Sequence, residues 1–313
     1  KPVENFSITM SCQKDKEICE NNLDNKNLIK DNTKIIYNIL GQKKEKKSEV
    51  LKFYKIEETA TKIKLLLDTE RLKNLSYLNL DEENKNITFK QGSVLIKNRI
   101  IIPSGYKVYI KAGTKVIFEE NGQIISYSPI LMKGEKDNQV MISSNIDQTK
   151  ESNKYGNGIS IINADSKSEI ENTLFSNLRS PKINSGEGLL GAINIYNSEI
   201  VIKDSNFVRN EGEDFLNIIS SKFLIKNVKM DKINFDAIDF DFSKGTIDGI
   251  AIKNTGNDAL DFSGSNVIAK NISINNVGDK AISAGEQSII KINNININNS
   301  KIGIASKDLS KVE

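Results

Sequence analysis

Five aspartates crowd one short stretch of the chain: Asp236, Asp239, Asp241, Asp258 and Asp261. Their spacing is regular. Asp214, Asp236 and Asp258 follow one another at intervals of 22 residues, and Lys280 comes 22 later. Asp239 and Asp261 share a second column, with Asn194, Asn217 and Ser283 as its other members. A repeat that stacks as neighbouring strands brings equivalent side chains to roughly 5 Å from one another. Ionised carboxylates at that distance repel, so a cation neutralises them, one keeps its proton, or they splay into water. Oxygen ligands on a rigid surface suit calcium, which makes Asp236, Asp239, Asp241, Asp258 and Asp261 a candidate metal set. Lys280 with a lowered pKa is a candidate catalytic base. Asp239, Asp261, Asn217 and Asn194 are a candidate substrate-binding row. The structural alternative stays open: an aspartate ahead of a strand is often a turn residue whose carboxylate bonds nearby backbone N–H groups.

Composition narrows the chemistry. The 313 residues contain no histidine, which excludes histidine triads, histidine-ligated zinc and histidine bases from this segment. No phosphate-binding loop or zinc spacing competes, and the glycines lie in turns without a following helix. Lys and Arg total 44 against 41 Asp and Glu, a net charge of only +3 spread over many positions, so nucleic acid is not an expected partner. Cys12 and Cys19 are compatible with a local disulfide in an exported protein or with two unrelated thiols. No run of 18 apolar residues offers a membrane span. The chain begins with Lys1 and stops inside a repeat, which reads as a fragment of a longer chain.

The elements that position these residues come from a repeat. Residues 1–50 are polar and read as a flexible or loosely packed lead-in. Residues 51–86 read as an N-terminal cap region, with Ile56, Ala60, Ile63 and Leu67 at helical spacing and Thr59 as a helix start. From 87 to 313, short apolar segments alternate with turn residues. Phe215, Ala237, Ala259 and Ala281 mark successive units, each 22 residues after the last. Ala192 stands 23 before Phe215, and a further copy starts at Gly158. The 34-residue step between those copies implies a loop near 179–190. Inside each unit the apolar residues alternate: Ile238 and Phe240, Leu260 and Phe262, then Ile250 and Ile252, Ile272 and Ile274. Period-2 alternation puts them on one inward face, and isoleucine suits a pleated wall. Such a unit is too short for a four-stranded propeller blade and lacks leucine-rich-repeat spacing. The fold class is all-β, a parallel β-helix solenoid with coils of about 22 residues. Asn172, Asp204, Asn227, Gly249, Asn271 and Asn294 fall in one column. These types tolerate left-handed backbone, so they read as a turn ladder. No proline follows Pro181, where the coils are most regular.

Residues 87–313 resemble the right-handed parallel β-helix group, the pectate-lyase-like superfamily. The resemblance is carried by the repeat and by the opening segment IIIPSGYKVYIKAGTKVIF. The units GNDALDFSGS and GDKAISAGEQS are also similar to repeats of large bacterial surface proteins. The resemblance implies a right-handed coil, an N-terminal cap and polysaccharide as a frequent substrate class. It also permits a calcium-dependent lyase that cleaves a uronic-acid polymer by β-elimination, with Lys280 as base. The hydrolases of that group use acidic-pair and histidine-containing motifs, which this chain lacks. The expected function is therefore a non-catalytic module of a secreted or cell-surface protein, presenting a polar wall to polysaccharide or partner. The lyase and an architectural spacer are the alternatives.

Overall fold

The computed structural model describes residues 34–37, 46–49, 69–119, 121–144, 155–181 and 189–313. It divides into two compact units, Lys1–Lys62 and Ile63–Glu313. In the first, Lys34–Tyr37 and Lys46–Glu49 pair antiparallel, inside the segment read as a loosely packed lead-in. The second is a parallel β-solenoid of about nine turns with about 23 residues in each. The helix expected between Ile56 and Leu67 lies outside the described residues, as do Cys12 and Cys19; residues 69–73 are helical.

The solenoid starts with a hairpin. Leu78–Asp81 pairs antiparallel with Asn86–Phe89, which in turn pairs parallel with Lys107–Lys111. Leu72 and Leu78 are buried in the common core, with Leu75, Tyr77 and Leu80 packed against it. Three walls then build up coil by coil. The first begins with Asn86–Phe89, Lys107–Lys111 and Ile130–Lys133. The second begins with Gly92–Ile96, Thr114–Phe118 and Val140–Ser144. The third runs through Arg99–Ile102, Gln123–Ser126, Ile159–Ile162, Gly191–Tyr196, Asp214–Ile219, Asp236–Asp241 and Leu260–Ser263. In the last coils the strands run on around the corners, as in Asn266–Gly285 and Ile289–Ser306. Each strand pairs with its equivalent one coil away, so a residue keeps its column over the whole stack.

Alternation decides what faces inward. Ile238, Phe240, Leu260, Phe262, Ile282 and Ala284 are fully buried. Phe240 stacks on Phe262 with centroids 4.9 Å apart, and on the other side packs against Phe223 at 4.6 Å. Stacking like on like is a consequence of the repeat, because coil spacing and ring-stacking distance nearly coincide.

The corners are left-handed. Asn172, Asp204, Asn227, Asn271 and Asn294 all have φ between 46° and 61°, and Gly249, with φ 83°, completes the column. Asn227 Nδ2 donates to Asp204 Oδ1 at 3.0 Å, and Asn294 Nδ2 to Asn271 Oδ1 at 2.9 Å. Gly249 has no side chain to continue the ladder, and Asn271 donates to Asp248 instead, at 2.9 Å. A second corner repeats the device: Asn254, Asn276 and Asn299 also have positive φ, and the amide of each donates to the one before it or, for Asn254, to Asp231.

A serine column closes the third corner. The backbone N–H of Ser198, Ser221, Ser243, Ser265 and Ser288 each donates to the hydroxyl of the serine one coil on, at 2.9 to 3.1 Å. Ser243 Oγ also lies 2.9 Å from the carbonyls of Ile218 and Asp241. Removing it orphans the buried N–H of Ser221. Ser243→Ala is expected to destabilise the chain by about 1–3 kcal/mol. Ser166→Ala, at an exposed serine whose hydroxyl donates only to Asp165, is expected to change stability by less than about 1 kcal/mol. Urea unfolding of the two variants checks the difference.

Candidate functional site

The repeat places the candidate residues on the third wall. Asn194, Asn217, Asp239, Asp261 and Ser283 stand in one unbroken parallel file. Asp214 pairs with Asp236 in the column that opens the strand. Asp241 stands two residues after Asp239 on the same outer side, opposite Ile219 above and Ser263 below.

The opening column is used up by the backbone. Asp236 Oδ1 accepts the N–H of Asp258 and the side-chain amide of Asn257, both at 2.7 Å. Asp258 Oδ1 accepts the N–H of Lys280 at 2.9 Å. Each carboxylate therefore caps the start of the strand one coil on. That is the turn alternative, realised between coils instead of within one turn. Asp214 accepts from Asn217 Nδ2 at 3.0 Å.

Lys280 does not have the environment of a base. Its ammonium contacts Asp279 and lies 3.3 Å from Asp258 Oδ2. The hydrogen bond to Asp279 and the charge of Asp258 raise its pKa above the ordinary lysine value, outweighing burial. Proton abstraction needs the opposite shift. Asp279 is the missed partner; its place directly before Lys280 was visible, but not the geometry that joins them.

Asn194 also departs from its expected role. It is fully buried, and its amide closes on the backbone of Gly191, accepting at 2.9 Å and donating at 2.7 Å. It has no surface to offer a substrate. For the expected calcium set, no group of three or more acidic side chains placed to hold a metal ion is found among the described residues. Asp236 and Asp258 each give one carboxylate oxygen to a backbone N–H.

What remains is a row of acceptors. Asp239, Asp241 and Asp261 are partly exposed, and none forms an ion pair among the described residues. Asn217 is 2% exposed; its Nδ2 donates to Asp214 Oδ2 at 3.0 Å and reaches Asp239 Oδ2 at 3.5 Å, and its buried Oδ1 has no donor among the described residues. Burial, reinforced by the charges of Asp241, Asp214, Asp261 and Asp236, pushes Asp239 up to about 9. Burial likewise lifts Asp214 to about 7 and Asp236 to about 6, and raises Asp241 and Asp261. Burial is the leading cause throughout the row, and at Asp261 the Ser283 hydroxyl and the charge of Lys307 oppose it.

No family model and no curated protein matches the chain. The parallel solenoid is what its likeness to the β-helix group amounts to, and fold alone assigns no activity. An open groove of about 560 Å³ lies elsewhere, along the asparagine corner between Arg209 and Asn276. Among the described residues, no helix is long and apolar enough to cross a membrane.

Proposed function

We propose that the solenoid is a non-catalytic module of a secreted or cell-surface protein, and that its third wall binds a glycan or partner. The observation that carries this reading is the pairing of Lys280 with Asp258 and Asp279. A β-eliminating enzyme needs a free base beside its substrate. Here the cation is neutralised, and the neighbouring row is acidic. The rigid stack favours binding instead, because in-register side chains lose little freedom when a linear ligand lies along them. A polar outer face and a long straight row suit an extended polymer better than a compact substrate.

The chain is expected to release no unsaturated product from polygalacturonate or alginate, with or without calcium. It is expected to be retained on at least one immobilised glycan. Unsaturated product that disappears in Lys280→Ala would overturn the reading. Silence across a glycan panel, from a sample that melts cooperatively, would favour a spacer.

A further inference from the structure

We propose that Phe242 is a stacking platform for a neutral pyranose ring of a glycan held on the third wall. The inference rests on the binding-module reading and names its ligand class and the side chain that holds it.

Phe242 stands at the corner that ends the wall. Asn197, Ser220, Phe242, Gly264 and Glu286 occupy equivalent corner positions, one to a coil, with φ between 45° and 61°. Asparagine and glycine suit that backbone, whereas a bulky apolar residue is strained by it. Phe242 nevertheless sits there at φ 49°, and it is 65% exposed. A strained backbone under an exposed ring adds no stability to the fold, which points to a use for the ring. Apart from Phe235 and Phe242, every phenylalanine among the described residues is buried. The ring is also seated. It fills the space over Gly264, one coil on, where an added Cβ would lie 2.6 Å from Phe242 Cδ1. Glycine in that place gives the ring a seat against the next coil, and the rest of the ring stays open to solvent.

The surroundings select the ligand. Asp241 directly precedes Phe242 and pairs with Ser263, and Asp239 follows two residues further along the same outer side. Burial pushes Asp239 up to about 9, so near neutrality it carries a proton and can both donate and accept. A neutral sugar ring answers both features. Its C–H face is weakly positive and meets the negative face of a phenyl ring. Its rim carries hydroxyls that donate and accept, without any charge. Tyr196, 40% exposed on the same outer side two coils back, offers a second ring to a linear chain. A protein partner fits poorly. The two rings expose roughly 200 Å² between them, against about 800 Å² for each partner in a stable interface. The other exposed phenylalanine, Phe235, stands at the opposite end of the Asp236–Asp241 strand, so the apolar surface is divided.

The chain contains no tryptophan, so Phe242→Trp places a single fluorescent reporter at the platform. The test titrates this variant and the parent with oligomers of cellulose, mannan and chitin, and with oligogalacturonate. At least one neutral oligomer is expected to bind, with a blue shift of the tryptophan emission and protection from acrylamide quenching. Calorimetry on two further variants separates stacking from plain apolar contact. Phe242→Leu is expected to bind that oligomer about fivefold or more weakly. Phe242→Tyr, which keeps the flat ring, is expected to stay within about twofold of the parent. The melting temperatures of both are expected to lie within about 2 °C of the parent, so weak binding is not unfolding. The proposal fails if Phe242→Leu binds undiminished, or if Phe242→Tyr loses as much as Phe242→Leu. It also fails if the tryptophan emission ignores a bound oligomer, or if oligogalacturonate binds more tightly than every neutral oligomer. Each of those results leaves the module reading standing. Failure of every neutral oligomer would sink this proposal, and silence on the glycan panel besides would sink both.

Discussion

Phe240→Ala is expected to destabilise the solenoid by about 3–5 kcal/mol. Phe240 is fully buried, stacked on Phe262 and packed against Phe223. Its removal leaves a cavity between two rings that cannot close together, because each is held by its own coil. Neighbouring coils depend on one another through such contacts, so the loss spreads along the stack. Phe242, two residues on, is the control. It is 65% exposed and sits at φ 49°, a backbone that suits asparagine better than phenylalanine. Phe242→Asn is expected to leave stability unchanged or slightly raised. Equal losses at the two positions, measured by urea unfolding, would contradict the inward assignment of Phe240.

The second large effect is a stability that falls as pH rises. Asp239 is pushed up to about 9, Asp214 to about 7 and Asp236 to about 6, all by burial first. An unfolded aspartate titrates near 3.9. Over the interval between the two values the folded chain holds more protons than the unfolded one, so stability drops through that window. The acidic neighbours Glu213, Asp258 and Glu286 add to the repulsion, while Lys307 opposes it at Asp261. Glu169, drawn down to about 2 by Lys133 and Lys167, works in the opposite sense but only as pH falls below about 4. The melting temperature is expected to be higher at about pH 5 than at about pH 8.5, by roughly 5–10 °C for a chain of this size. Asp239→Asn should raise the value at the higher pH and flatten much of the slope. A flat profile in the parent, or a lower melting temperature for the variant at about pH 8.5, would show that the carboxyl is solvated.

The parts of the fold that were legible in the sequence are those that alternation and repetition encode. Phe240 and Phe262 could be assigned inward because period 2 leaves them no other side. Asn227, Asn271 and Asn294 could be assigned to a turn because left-handed backbone accepts few other residue types. The columns of Asp236 with Asp258 and of Asp239 with Asp261 followed from the same 22-residue step. The serine ladder was written just as regularly, at Ser221, Ser243 and Ser265, but serine carries no hydrophobic signal and escaped notice. The state of each side chain was not legible at all. Alternation says that Asn194 and Asp239 face outward; it does not say that Asn194 is sealed against Gly191 while Asp239 is left without a cation. Nor does a column position reveal that Lys280 is held by its own neighbour Asp279. Those facts depend on contacts between coils, which only the folded stack creates.

The central claim is that the third wall carries an uncompensated carboxyl row. The most direct test follows the aspartate side-chain carbons by NMR as pH is raised, with Asp239 assigned through the Asp239→Asn variant. A midpoint for Asp239 well above neutrality is the predicted result. A midpoint near the ordinary aspartate value of about 4 would contradict it.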